Sequence, residues 1–211
     1  MIINWLGHAC FVFETTAGRI ITDPFDSSLG YQPYQEPVDV ATVSHQHWDH
    51  NAVQTLQGDP QVISTAGCFE IGPVKITGVE SCHDSKGGRL RGPNIIYKFE
   101  VDGLNVVHLG DLGHILEPAQ VEAIGAVDIL LLPVGGIYTV DAFQAKVVAE
   151  QLKPVVIIPM HYKTRHLNIE LEPLEKFAGQ FDITIKKPRL DVTFSDLRKS
   201  AGVVILDYPG S

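Results

Sequence analysis

The chain has 211 residues, an apolar fraction of 45 % and a formal net charge of −9 at neutral pH. That size and composition suit one domain with a real core, and the acidic balance argues against a dedicated nucleic-acid surface. No apolar run approaches the roughly 20 residues that span a bilayer. No export-signal pattern follows Met1, and the three cysteines form no C-x-x-C pair, so a reduced, cytoplasmic setting is expected.

In chain order, residues 2–6, 10–14 and 19–22 read as strands of a meander, turning at Ala17-Gly18 and ending at Asp23-Pro24. A polar, proline-bearing loop follows over residues 26–37. The apolar run 38–43 reads as a buried strand and leads directly into His45-Gln46-His47-Trp48-Asp49-His50. Asn51 is expected to cap a short helix ending at Leu56, stopped by Gly58. Residues 61–64, 74–79, 94–101 and 104–109 are further predicted strands, with Asp102-Gly103 as a hairpin turn between the last two. From Pro118, helix and strand alternate: a helix over 121–124, a strand over 127–132, a helix capped by Thr139 and a strand over 155–158. The apolar face of the Thr139 helix is expected to be Val140, Phe143, Val147, Val148 and Leu152. A last helix over 172–177 and strands over 183–186 and 203–206 complete the pattern. Meander pairing early and crossovers late predict a single α/β (α+β) domain over residues 1–211. Its expected architecture is a four-layer αβ/βα sandwich, two mixed sheets face to face with helices on the outer faces.

Four metal-binding side chains within six residues are hard to explain as an ordinary solvated loop, because clustered polar ligands need a cation or water to satisfy them. His45 and His47, two apart, can converge on one ion, while Asp49 and His50 face the other way towards a second. Three further candidates sit just past predicted strand ends, where such architectures gather functional groups. They are His83, Asp111 and His161. The expected arrangement places one ion on His45, His47 and His83 and another on Asp49, His50 and His161, with Asp111 bridging. Imidazole and carboxylate donors suit zinc, and also manganese, iron or nickel.

With these residues in order, the chain resembles the metallo-β-lactamase superfamily of metal-dependent hydrolases. Trp5-Leu6-Gly7-His8-Ala9, Ile21-Thr22-Asp23-Pro24 and Pro133-Val134-Gly135-Gly136 are similar to the branch containing ascorbate-phosphate lactonases and N-acylphosphatidylethanolamine phospholipases. The resemblance places Asp23 where it can orient a ligand histidine and His8 beside the metals, and it implies self-association. Asp111 stands where the best-known β-lactamases of the superfamily place a cysteine, and His47 where its flavodiiron oxygen reductases carry a Glu. Neither lactam hydrolysis nor a redox di-iron role is therefore expected. His108 is expected to be structural, and His114 and His166 receive no role.

Five basic residues follow two of the expected ligands: Lys86, Arg89 and Arg91 after His83, and Lys163 and Arg165 after His161. Guanidinium groups bind carboxylate and phosphate through paired hydrogen bonds, so Arg91 and Arg165 are candidates for attracting an anionic small-molecule substrate. The expected chemistry is hydrolysis by a metal-bridged hydroxide, with Asp49 orienting the nucleophile and relaying its proton. An ester-like bond in a lactone or thioester is the first expectation. Phosphodiester cleavage of a small molecule, lipid headgroup or nucleotide is the second, and a metal-binding protein without turnover the third.

Overall fold

The computed structural model describes residues 1–209. The opening meander forms as expected: β1 (Ile2–Gly7), β2 (Cys10–Thr15) and β3 (Gly18–Thr22) pair antiparallel. β4 (Val40–Thr42) and β5 (Gln61–Ile63) then add in parallel. The second sheet starts with the antiparallel run β6 (Gly67–Ile71), β7 (Val74–Cys82), β8 (Pro93–Val101) and β9 (Leu104–His108). It continues in parallel through β10 (Ile129–Pro133) and β11 (Val156–Met160). Beyond them lie β14 (Gly202–Leu206) and then β12 (Thr184–Lys187) at the edge. A two-residue strand, β13 (Leu190–Asp191), pairs with β1, giving mixed sheets of six and eight strands.

The period of two along a strand decides what each sheet buries. In the six-stranded sheet, Ile3, Trp5, Phe11, Phe13, Ile20 and Val40 join one core with Phe99, Val106 and Leu131 of the other sheet. The alternate residues Leu6, Val12, Ile21 and Ala41 form a second cluster with Phe25, Leu29, Tyr31 and Leu167 from the loops that cover that face. The parallel strands β10 and β11 are buried at every position, as strands covered on both faces must be.

The helices α1 (Pro118–Ile124), α2 (Ala142–Leu152) and α3 (Glu175–Ala178) differ from expectation in detail. α2 is capped by Asp141, whose carboxylate accepts the Phe143 and Gln144 amides, and Thr139 lies outside it. Its buried face is Ala142, Ala145, Val148, Ala149 and Leu152, while Phe143 and Val147 point outward at 75 % and 42 % exposure. Val148 and Leu152 are buried as expected; small residues complete the inner face and let the helix approach β10, so bulk misplaced only Phe143 and Val147. Asn51 does not cap a helix: its side chain bonds Gln46, and a 3-10 turn, Val53–Thr55, follows. α3 is shorter than predicted because the Glu172 backbone is bridged on both sides, to Lys163 and Gly135. The unpredicted β6 is a half-exposed edge strand whose alternation is limited to Phe69 and Ile71 on either side of Glu70. Among the described residues no helix is long and apolar enough to cross a membrane.

β1, β3, β4, β7, β9 and β11 each run out just before a candidate polar residue, and two bare backbones pack against these exits. A Cβ on Gly113 would sit 2.3 Å from the His83 carbonyl carbon and the Asp84 nitrogen, and one on Gly135 would sit 2.0 Å from the His161 oxygen. Both neighbours are backbone and cannot swing away. Gly113→Ala is therefore expected to cost about 1–3 kcal/mol, as overpacking does, and to lower metal capacity by displacing His83. Thermal denaturation with metal analysis checks this; unchanged values for both would refute it.

Candidate metal centre

The six strand exits bring the predicted side chains into one crevice. Two groups of three imidazoles form there, each with its donor atoms within 4.8 Å of one another: His45, His47 and His83, and His8, His50 and His161. Between them lies Asp111, whose Oδ2 is 3.1 Å from the Nε2 atoms of His83 and His161 and 3.4 Å from that of His50. His45 Nε2 is 4.0 Å away. Asp111 is 2 % exposed, and its other oxygen, Oδ1, meets no hydrogen-bond partner among the described residues. Asp49 Oδ2 lies 3.2 Å from His8 Nε2 and 3.7 Å from His50 Nε2. His8, expected beside the metals, thus stands inside the second donor group.

Asp23 governs the chemistry of this cluster from behind. Its carboxylate accepts the Ser44 amide at 2.7 Å, the Ser44 hydroxyl at 2.6 Å and the His50 Nδ1 proton at 2.9 Å. Because the Ser44 hydroxyl spends its one proton on Asp23, it must accept from His45 Nδ1, 2.9 Å away. Both histidines then carry their proton on Nδ1 and turn an Nε2 lone pair inward, the form a metal ligand needs. Asn94 does the same service for Asp111: its Oδ1 accepts the Asp111 amide, while its Nδ2 donates to the Ser81 hydroxyl and the Leu109 carbonyl. Sequence reasoning found Asp23 but missed Ser44 and Asn94. Ser44 could have been suspected as the hydroxyl beside the first ligand; Asn94 has no local signal, since its partner lies 17 residues on.

The donor set fits divalent cations. Burial, reinforced by His161, lowers His8 to about 4, and burial with His50 nearby lowers His45 to about 3. Both therefore stay neutral at physiological pH, and His45 keeps an Nε2 lone pair free for a metal. Burial works against charge on His50 as well, yet Asp111 and Asp23 outweigh it and raise its pKa well above the ordinary value. Burial likewise opposes ionisation of Asp111, but His161 and His50 overcome it and hold the carboxyl well below the usual range. Without an ion these carboxylates draw a proton onto His50; a divalent cation would supply that positive charge in its place and free the His50 Nε2 lone pair, so the crevice is a cation-binding environment.

Three of the donors and supports also hold left-handed backbone: His8 at φ 53°, Asp23 at φ 40° and His161 at φ 53°. Such conformations cost non-glycine residues of order 1–3 kcal/mol and persist where surroundings impose them. Here the His161 amide donates to the His8 carbonyl, and Trp5 Nε1 donates to that same carbonyl. His108 is structural, as expected: its Nε2 lies 2.8 Å from the Ala9 carbonyl and its Nδ1 accepts the Gly110 amide, tying the His8 and Asp111 loops together.

A cavity of about 390 Å³ opens over the donors, lined by His47, Asp49, His83, Asp111 and His161 with Trp48, Leu90, Arg91, Tyr138 and Ile169. A larger one, about 740 Å³, lies beside it around Ser64, Glu80, Cys82 and His114, away from the converging donors. The first is the better candidate because the ligand atoms face it. Of the basic residues, Arg91 reaches this cavity and Arg165 does not. Arg165 is exposed and donates to His166 Nε2, and the Lys163 ammonium is taken up by the Leu167 and Ile169 carbonyls. Tyr162 is buried and stacked on Trp5, so it is a packing residue.

Removing the Asp23 carboxylate should loosen two ligands without touching either. Asp23→Ala is expected to weaken metal affinity by about 10–100-fold, the usual effect of losing such a support. Competition against a calibrated chelator measures it, and wild-type affinity would remove the assigned role.

The family described as Beta-lactamase superfamily domain matches residues 2–161. A UPF0173 protein of Pyrococcus furiosus is 30 % identical over 97 % of this chain and 100 % of its own length. A UPF0173 metal-dependent hydrolase of Hyperthermus butylicus is 28 % identical over 87 % of this chain and 93 % of its own. Among solved structures, a Thermotoga maritima protein assigned as a Zn-dependent hydrolase of the metallo-β-lactamase superfamily superposes with a TM-score of 0.82. It is 44 % identical, with 97 % of each chain covered. The chain belongs to the metallo-β-lactamase superfamily, among the UPF0173 metal-dependent hydrolases.

Proposed function

We propose that this protein is a dinuclear metal hydrolase that opens an ester-like bond, in a lactone or thioester, of an anionic small molecule. The observation that carries the reading is the position of Asp111, a buried carboxylate between two separate groups of imidazoles. His45, His47 and His83 would hold one ion, and Asp49, His50 and His161 the other, with His8 against the second group and Asp111 shared. The imidazole-rich donors suit zinc first, with manganese, iron and nickel compatible. When bound, the ions supply Lewis acidity and acidify water.

The protein's own groups then have distinct tasks. Asp49 lines the cavity, and although burial opposes its ionisation, the hydrogen bond from His8 and the nearby His50 keep it a carboxylate. It can take a proton from the attacking water and return it to the leaving group. His8, neutral and with its Nε2 towards Asp49, holds that carboxylate in place. His47 is exposed, so the first group faces substrate on one side. The three cysteines are free, which fits a reducing compartment and a cytoplasmic location.

A phosphodiester is the second reading, favoured by Arg91 at the cavity, since guanidinium serves phosphate as well as carboxylate. Metal analysis coupled to a panel of lactones, thioesters and phosphodiesters separates the readings. The protein is expected to carry about two metal equivalents, as a dinuclear centre requires, and to turn over the carbonyl substrates. His47→Ala and Asp111→Ala should each lower metal content and cut kcat/KM by at least about 100-fold. Turnover of phosphodiesters alone would shift the reading to the second, and metal without turnover would point to a binding protein. If neither substitution changes metal content or activity, the site is elsewhere.

A further inference from the structure

The mouth of the cavity is chemically uneven. On one side stands Arg91, whose Nη2 donates to the Ile137 carbonyl at 3.3 Å and whose guanidinium carbon lies 5.5 Å from the centroid of the Tyr138 ring. A guanidinium carries five N–H donors, so most of its capacity is left over. Among the described residues no carboxylate pairs with it, although the chain bears a net charge of −9. Around it stand Trp48, Leu90 and Tyr138, at 50 %, 69 % and 38 % exposure. Large apolar side chains gathered at one opening mark a binding surface rather than chance exposure. At about 390 Å³ the cavity falls within the range of small-molecule sites.

The segment that presents Leu90 and Arg91 is fixed by one side chain. It runs from Asp84, next to His83, through Gly87, Gly88 and Gly92, and has no helix or strand. Asp84 is 3 % exposed, and its two oxygens accept the amides of Lys86, Gly88, Leu90 and Arg91 at 2.7–3.1 Å. The His83 amide donates to the Gly92 carbonyl, closing the loop on the ligand itself. The anion receptor is thus held in register with the metal centre by a buried carboxylate.

We propose that Arg91 and the rim of Trp48, Leu90 and Tyr138 select a small amphiphile: a carboxylate or phosphate-type anion on an apolar body, with Asp84 as the positioning residue. The inference rests on the hydrolase reading for the bond that is cut, but concerns recognition alone. The guanidinium takes the anion through paired hydrogen bonds over the Tyr138 face, and the body covers the rim.

Binding can be tested without turnover. Trp48 is half exposed whereas Trp5 is 3 % exposed, so quenching of tryptophan fluorescence reports on the rim. Metal-loaded protein is titrated with octanoate, octylphosphonate, octanol and acetate. Octanoate or octylphosphonate should bind at least about tenfold more tightly than octanol, and than acetate; which of the two is preferred identifies the anion. In Arg91→Met the advantage over octanol should vanish, and Arg91→Lys should restore part of it. In Leu90→Ser the advantage over acetate should shrink. Asp84→Asn should reduce anion preference and speed hydrogen exchange at the Lys86, Gly88, Leu90 and Arg91 amides. An anion advantage that survives Arg91→Met means that the anion sits on the metals, and overturns the proposal; so does equal binding of octanoate and octanol by the wild type. If Arg91-dependent binding holds while no ester is hydrolysed, the reaction class is wrong and the selection stands. Hydrolysis of charged and neutral esters at equal rates, with binding indifferent to Arg91, leaves the reaction and removes the selection.

Discussion

The carboxylate of Asp23 is the interaction on which the site depends. It has no route to solvent and accepts three protons, from a backbone amide, a hydroxyl and an imidazole. A buried carboxylate so placed cannot tolerate a lone pair opposite any of these positions. The consequence passes outward: Ser44 must face it with a proton, His45 must therefore face Ser44 with one, and His50 must do the same directly. Two imidazoles are left with their basic nitrogens turned into the crevice. The left-handed backbone at Asp23 is the local cost of aiming the carboxylate there, and the amide of Asp23 is anchored to the Thr42 carbonyl at 2.8 Å.

The topology explains why so many polar side chains can meet in a protein with a continuous apolar core. Strands from both sheets run out at one end, and each polar group occupies the first turn beyond its strand. Inside the strands the buried positions are mostly apolar, and the few polar ones near the exits, Ser81, Asn94 and His108, are hydrogen-bonded. Gly113 and Gly135 let the returning chain lie flat against the ligand loops, and His108 bridges the Ala9 and Gly110 backbones beneath the donors. The crevice is therefore braced both by close backbone contacts and by side chains, Asp23, Ser44, Asn94 and His108, that hold the donors from behind.

How far the sequence could be read follows from which features are local. The β meander, the Asp102-Gly103 hairpin and the buried parallel strands announce themselves by alternation or by continuous apolar runs. The ligand residues stand out because His and Asp at strand ends are conspicuous against that pattern. Features that depend on partners far along the chain did not show. Asn94 is an unremarked strand residue until Asp111 is brought to it. The inner face of α2 is completed by three alanines beside Val148 and Leu152, so the bulk of Phe143 and Val147 placed those two on the wrong side. Arg165 follows His161 by only four residues, yet its side chain leaves the cavity for His166. Arg91, eight residues beyond His83, is returned to the cavity only because Asp84 folds the intervening glycine-rich segment.

That clasp has an evolutionary meaning. A loop whose shape is dictated by one aspartate accepting backbone amides makes little demand on the identity of the side chains it displays. Gly87 and Gly88, with positive φ, belong to the clasp, but the side chains it displays, such as those of Leu90 and Arg91, can change in size and charge while the clasp and the neighbouring ligand keep their geometry. The segment is in effect an exchangeable cassette beside a fixed reaction centre. A scaffold of this kind can acquire a new substrate by rewriting a few exposed positions, without re-evolving the chemistry.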